Sequence, residues 1–256
     1  MHPILIKIGP LTIYSYGFFL AIGFLLAIFY STREAKRVGE DPQKISDLAF
    51  YLIIASLVGA RLLFIIVEPH DFLENPLEII KVWKGGLVFY GGFIGALITG
   101  IWYVKRHGMP IWKTADIIAP AVALGQSLGR IGCFSAGCCY GRETDVPWAV
   151  TFTDPNSLAR IGIPLHPTQL YEAALDLGIF LFLISFRKRK TFEGQLIWLY
   201  TLLYAIVRFI VELFRGDPRG SALDNLLSTS QFIGIVMAVV ASTMLIKLGR
   251  KKSAIA

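Results

Sequence analysis

Seven long apolar segments constrain this chain more than any other feature. They run Tyr16–Tyr30, Ile45–Val67, Leu87–Val104, Thr114–Phe134, Pro167–Phe186, Gln195–Leu213 and Gln231–Leu248. A helix needs about twenty such residues to cross about 30 Å of hydrocarbon. Extended strands without alternation would leave backbone groups unpaired in lipid, so each segment is predicted to be an α-helix. Hydrophobic residues make up 55% of the chain and charged residues only 17%, with a mean hydropathy of +0.60, too apolar for an ordinary soluble domain. Helices of this length joined by short loops use up most of 256 residues. The expected fold is therefore an all-α membrane protein, one integral membrane domain over residues 1–256 built as a seven-transmembrane-helix bundle.

The net charge of +7 raises the question of nucleic acid, but the basic residues fall in short clusters between apolar runs. No stretch interleaves Lys or Arg with aromatics over a soluble face, so no nucleic-acid partner is expected. The clusters instead set topology. Arg33, Lys36, Arg37 and Lys44 follow the first span; Lys105, Arg106 and Lys113 follow the third; Arg187, Lys188, Arg189 and Lys190 follow the fifth; and Lys247, Arg250, Lys251 and Lys252 lie in the tail. These loops alternate as seven spans require, which places the N-terminus outside and the C-terminus in the cytoplasm. Met1–Ser15 lacks the cationic start and small-residue cleavage site of a secretory signal, so it is expected to remain in the mature protein. Alternation at Ile4, Ile6 and Ile8, then at Leu11, Ile13 and Ser15 beyond Gly9-Pro10, predicts a hairpin of two short strands. Residues 69–86 mix Pro76, Leu77, Ile79, Ile80 and Trp83 with Lys81 and Lys84, the pattern of an interfacial stretch. The segment at about 135–166 holds several Gly and Pro residues and partial alternation around Trp148–Thr153, and predicts a small outer, periplasmic-side head with short strands.

Arg61, Arg130, Arg208 and Glu212 are charged groups inside the predicted spans. Each costs about 2.5–3.5 kcal/mol at a helix centre on insertion scales, so they are expected to face the bundle interior and find partners. Arg208 and Glu212, four apart, also satisfy the simpler reading that they neutralise one another. Tyr204, Arg208, Glu212 and Arg215 recur at helical spacing and put a polar stripe on one face of an apolar helix. Guanidinium binds phosphate as a fork and keeps its charge away from water, so Arg130 and Arg208 together point to a phospholipid head group. His166-Pro167-Thr168-Gln169-Leu170-Tyr171-Glu172 stands where the head re-enters the membrane, able to orient a substrate, accept a proton, or simply cap the helix. Gly91 with Gly95, and Gly125 with Gly129, are small residues four apart and read first as close helix packing. No internal repeat is visible, which argues against an inverted-repeat transporter. Cys133, Cys138 and Cys139 leave at least one thiol unpaired, and with His166 they lack any standard metal-ligand spacing, so free thiols or one local disulfide remain open.

Gly129-Arg130-Ile131-Gly132-Cys133-Phe134, running on to Gly137 and Gly141, resembles the signature of the prolipoprotein diacylglyceryl transferase family. The likeness extends to Tyr16-Gly17, Gly59-Ala60-Arg61, Gly91-Gly92 with Gly95, the His166–Glu172 segment and the Tyr204–Arg215 stripe. It implies an enzyme of the bacterial inner (cytoplasmic) membrane that moves the sn-1,2-diacylglyceryl group of phosphatidylglycerol to the lipobox cysteine of a preprolipoprotein. A thioether forms and glycerol phosphate leaves, the first step of lipoprotein maturation. The implied partners are phosphatidylglycerol, preprolipoproteins and the bilayer, and no cofactor or metal is implied. Arg130 and Arg208 would clamp the phosphate, Glu212 would position Arg208, and Tyr90 and His166 would stand among the catalytic groups. Tyr16, Arg61, Tyr204, Arg215, Gln169 and Glu172 would bind substrate.

Two positions depart from the family pattern. Tyr90 stands where the family commonly has a His proposed to take the thiol proton, and Cys133 and Cys138 stand where it commonly has Asn and Glu. Tyrosine, with an ordinary pKa near 10, is a poor base at neutral pH, so His166 or exchange with solvent are the alternatives. A divergent relative with another acceptor, a lipid or anionic-solute transporter, and a non-catalytic binder of precursors are the competing readings.

Overall fold

The computed structural model describes residues 2–9, 11–69, 72, 76–81, 85–217, 221–222 and 227–253. Pro10, Trp83 and Lys84, which the sequence reading placed in the hairpin turn and the interfacial stretch, lie outside them. The chain opens with β1 (Ile4–Ile8) and β2 (Leu11–Tyr14), an antiparallel pair in the predicted place. Seven long helices follow among the described residues: α1 (Ser15–Arg37), α2 (Pro42–Val67), α3 (Phe89–Arg106), α4 (Ile111–Ala136), α5 (Thr168–Phe186), α6 (Gln195–Glu212) and α7 (Thr229–Ser253).

Six of these, all except α3, are long and apolar enough to cross a membrane. α3 has 18 residues and closes on Lys105 and Arg106, which shortens the apolar run that the sequence suggested. The protein is thus a mostly helical, multi-pass membrane protein. Leu25, Phe29, Ile66 and Val239 are all more than three-fifths exposed, a surface that hydrocarbon tolerates and water does not.

The described residues form two compact units, Ser31–Thr114 in one and Met1–Tyr30 with Ala115–Ala256 in the other. In the first, α2 begins with Asp41, whose side chain accepts from the Gln43 N–H at 2.9 Å, ahead of Pro42 in the first turn, a standard helix start. α2 and α3 cross at glycines: a Cβ on Gly59 or Gly91 would collide with the carbonyl oxygen of the other, and one on Gly95 would lie 2.5 Å from Ala55 O. The short 3-10 turn Pro76–Ile80 is held by Arg61, which donates to the carbonyls of Ile79 (2.9 Å), Gly85 (2.8 Å) and Gly86 (3.1 Å) and also of Glu78.

In the second unit, Ala119, Ala123, Ile179, Leu183, Leu196, Val207 and Val211 pack α4, α5 and α6 into one core. At one end, the carboxylate of Asp116 accepts from the N–H groups of Gly194 (2.8 Å) and Ile197 (3.0 Å) and pairs with Lys190 at 3.1 Å. It serves the orphan donors of the α6 N-terminus, where the Gly194 backbone is left-handed and has no side chain to cap with. At the other end, between α4 and α5, β3 (Val150–Thr151) pairs with β4 (Pro164–Leu165) around a small core of Phe152, Ala159 and Leu165. Single bridges tie Glu143 to Leu165 and Gly141 to Arg215. Beyond α6, β5 (Ser221–Ala222) and β6 (Leu227–Ser228) pair before α7.

Candidate active site

Charged side chains from three helices meet beneath this strand-bearing segment. α4 brings Arg130, α5 brings Glu172, and α6 brings Arg208 and Glu212. The Glu172 carboxylate, with no exposed surface, lies 2.7 Å from an Arg130 nitrogen and 3.4 Å from Arg208. Arg208 also pairs with Glu212 at 2.8 Å and donates to Ser230 Oγ at 3.2 Å. Glu212 stands 4.0 Å from Arg215, which grips Asp217 through two hydrogen bonds of 2.8 Å. Cations and anions therefore alternate from Arg130 to Asp217, which is how a low-dielectric interior tolerates so many ions. Arg208 and Glu212 do pair as the simpler sequence reading had it, but within this larger array. The side chains of Arg130, Arg208 and Arg215 are 21%, 10% and 3% exposed. Of the three, Arg130 has the most exposed side chain.

Tyr204 stacks on Tyr200 with ring centroids 5.9 Å apart, and the Tyr200 hydroxyl donates to Gln126 Oε1 at 2.5 Å. α6 ends at Glu212, so Arg215 lies in the turn after the helix rather than on its stripe. Burial disfavours the charge of Arg215, and its hydrogen bonds to Asp217 and Cys139 together outweigh that, holding its pKa above the usual guanidinium value. Beside this run a cavity is lined by Arg142, Glu212, Arg215, Asp217, Ser228 and Gln231.

The start of α5 is tied to the end of α4. Gln169 donates to the Cys138 carbonyl and Thr168 to the Cys139 carbonyl, both at 2.8 Å. His166 Nδ1 lies 3.1 Å from the Tyr171 hydroxyl, which accepts from Trp148 Nε1 at 2.7 Å. The His166 backbone pairs with Gly141 and Arg142, so the ring stands among the strands of the loop segment. Tyr16, at the start of α1, is 42% exposed; a Cβ on Gly132 would come within 3.3 Å of its ring. Tyr16 and Arg130 lie within electrostatic reach of one another. In the other unit Tyr90 is half exposed. Arg61 there has its guanidinium turned to four backbone carbonyls and over the rings of Phe64 and Phe72, a structural rather than a substrate-facing arrangement.

Sequence reasoning passed over one feature and left another open. Asp176, one turn after Glu172, is fully buried, and neither carboxylate oxygen has a hydrogen-bond partner among the described residues; an acid inside an apolar run was the signal. The three cysteines, given no partner by their spacing, have sulfurs all within 4.8 Å of one another.

A polytopic helical membrane protein with a buried arginine–carboxylate array under a strand-bearing segment is the class that fold and site define. The chain belongs to the prolipoprotein diacylglyceryl transferase family, whose profile matches residues 3–247. It is 39% identical over 240 residues to the phosphatidylglycerol–prolipoprotein diacylglyceryl transferase of Clostridium tetani (strain Massachusetts / E88), covering 94% of this chain and 95% of that one. It is 35% identical to transferase 2 of the same name from Clostridium perfringens (strain 13 / Type A), over 93% and 92% of the two chains. It is also 35% identical to that of Geobacter sulfurreducens (strain ATCC 51573 / DSM 12127 / PCA), over 98% and 97%.

Proposed function

We propose that this protein transfers the sn-1,2-diacylglyceryl group of phosphatidylglycerol to the lipobox cysteine of preprolipoproteins and releases glycerol phosphate. The observation that carries the reading is the Arg130–Glu172–Arg208–Glu212 array, buried at one end of a helical bundle in a chain related along nearly its whole length to transferases of that name. The reaction breaks a carbon–oxygen bond and leaves a second negative charge on the phosphate. Arg130, whose side chain is the most exposed of the three, meets the phosphodiester, and Arg208, braced by Glu212, takes up the growing charge. Glu172 holds both guanidinium groups in register before the lipid arrives, and so limits reorganisation during the step.

Tyr16 and Tyr204 offer hydroxyls to the head group, with Arg215, Gln169 and His166 lining the side toward the strand-bearing segment. Arg61 acts at one remove, by holding the backbone carbonyls of Glu78, Ile79, Gly85 and Gly86. Tyr90 stands where the family commonly has a His proposed to take the thiol proton; tyrosine is a poor base at neutral pH, and His166 and solvent are the alternative acceptors. In the same reading α3 completes a seven-span bundle in the bacterial inner membrane. The chain is one membrane domain with residues 135–166 as an outer cap, its N-terminus outside and its C-terminus in the cytoplasm, as the basic loops favour.

The test is the mass of a lipobox peptide after incubation with the purified protein in phosphatidylglycerol micelles. Wild type is expected to add one diacylglyceryl group, and Arg130→Ala to lose about 10²–10³-fold in rate. Tyr90→Phe reads directly whether that hydroxyl takes part. A peptide left unmodified with every phospholipid tried would overturn the proposal.

A further inference from the structure

The cysteines stand where helix α4 stops. The Gly137 N–H bonds to Phe134 O at 3.2 Å and the Cys138 N–H to Cys133 O at 3.1 Å, the paired closure of a Schellman turn with left-handed Gly137 just past the helix. This closure folds Cys138 back over Cys133. Cys139 is itself left-handed, at φ 63°, and that brings the third thiol to the same side. That region is unfavourable for a non-glycine residue, and hydrogen bonds from Thr168 and Gln169 to the two cysteine carbonyls keep the turn in place.

No disulfide joins any of the three, and their sulfurs all lie within 4.8 Å of one another. In a tetrahedral thiolate site with metal–sulfur bonds of about 2.3 Å, neighbouring sulfurs are about 3.8 Å apart. Three thiolates around a divalent cation carry one net negative charge. The surroundings suit that charge: the Arg215 guanidinium hydrogen-bonds the Cys139 sulfur, and Arg130 is within electrostatic reach of Cys133 and Cys139.

We propose that Cys133, Cys138 and Cys139 bind a thiophilic divalent cation, Zn2+ foremost, whose fourth position takes the sulfur of the acceptor cysteine. The role in catalysis rests on the transferase reading above. Three protein ligands with one open position is the arrangement of a catalytic rather than a structural zinc. A thiol that coordinates such an ion is deprotonated outright, so the arrangement supplies what tyrosine at position 90 does poorly. The acceptor S–H gives its proton to water as sulfur displaces the metal-bound water. The metal-held thiolate then attacks C3 of the diacylglyceryl group, and the C3–O bond to phosphate breaks. The bonding pair stays on the phosphate oxygen, glycerol phosphate departs beside Arg130 and Arg208, and the thioether, a poorer ligand, leaves the metal.

The test uses the full chain in phosphatidylglycerol micelles under reductant, stripped with a chelator and then titrated with Zn2+ or Co2+. One ion per chain is expected, and Co2+ is expected to give a sulfur-to-cobalt charge-transfer band that is lost in Cys138→Ser. That band should shift when a lipobox peptide is added but not with the same peptide carrying Ser for Cys. Turnover should fall on stripping and return with Zn2+. Absence of a band in wild type overturns the site without reliance on any variant. A band that ignores the peptide thiol, or full turnover by stripped and reduced enzyme, overturns the acceptor role and leaves the transferase reading standing. Absence of turnover with or without metal overturns that reading and the acceptor role with it, while the cobalt band alone still decides whether the cysteines hold an ion.

Discussion

Glu172 is wholly buried, and its carboxylate is shared between Arg130 at 2.7 Å and Arg208 at 3.4 Å. Removing that charge would leave two guanidinium groups facing each other away from water. Breaking one side of a buried pair costs about 3–5 kcal/mol, so Glu172→Gln should lower the thermal midpoint in detergent clearly. Phosphatidylglycerol should restore more of that loss in Glu172→Gln than it adds to wild type, because its phosphate supplies the missing anion. Equal effects of the lipid on both proteins would mean that the phosphate does not sit between these arginines. Arg130, Arg208 and Glu212 were legible as candidates because a charge in an apolar run is costly wherever it lies. That Glu172 joins two of them was not legible, since its partners stand on other helices far along the chain.

Among the helices, the packing of α2 on α3 depends on missing side chains. A methyl group on Gly91 would strike the Gly59 carbonyl, which is backbone and cannot swing aside, whereas one on Gly129 meets nothing within 4 Å. Gly91→Ala is therefore expected to lower the yield of folded protein and its melting midpoint, and Gly129→Ala to leave both near wild type. A tolerated Gly91→Ala would show that the two helices can separate freely. Small residues four apart announced close packing at Gly91 and Gly95; the same spacing at Gly125 and Gly129 announced it too, but there only Gly125 has a neighbour, Gly23, within 4 Å. The periodic signal says that a face is flat, and the partner helix decides whether it is used.

For the molecule as a whole, the basic loops and the strand-bearing segment predict opposite sides of the membrane. In a background whose three cysteines are replaced, a membrane-impermeant thiol reagent should label Glu143→Cys in intact cells and Arg189→Cys only after permeabilisation. The reverse pattern would overturn the proposed orientation. The helical membrane class, the approximate limits of most helices, the N-terminal hairpin and the family motifs were legible from the chain, because lipid forces its order on every apolar run and Gly-Pro punctuates locally. The end of α3 was less so, because whether Lys105 and Arg106 close a helix or follow it depends on the hydrogen bonds of its last turn. What the amino-acid order determined by itself was the solvent the protein requires and which polar groups are too expensive to be idle. Only the tertiary structure decided which of those groups meet: the Glu172 bridge and the carbonyl partners of Arg61 arise between segments whose separation along the chain carries no trace of their distance in space, and the convergence of three cysteines depends on the particular turn that closes α4.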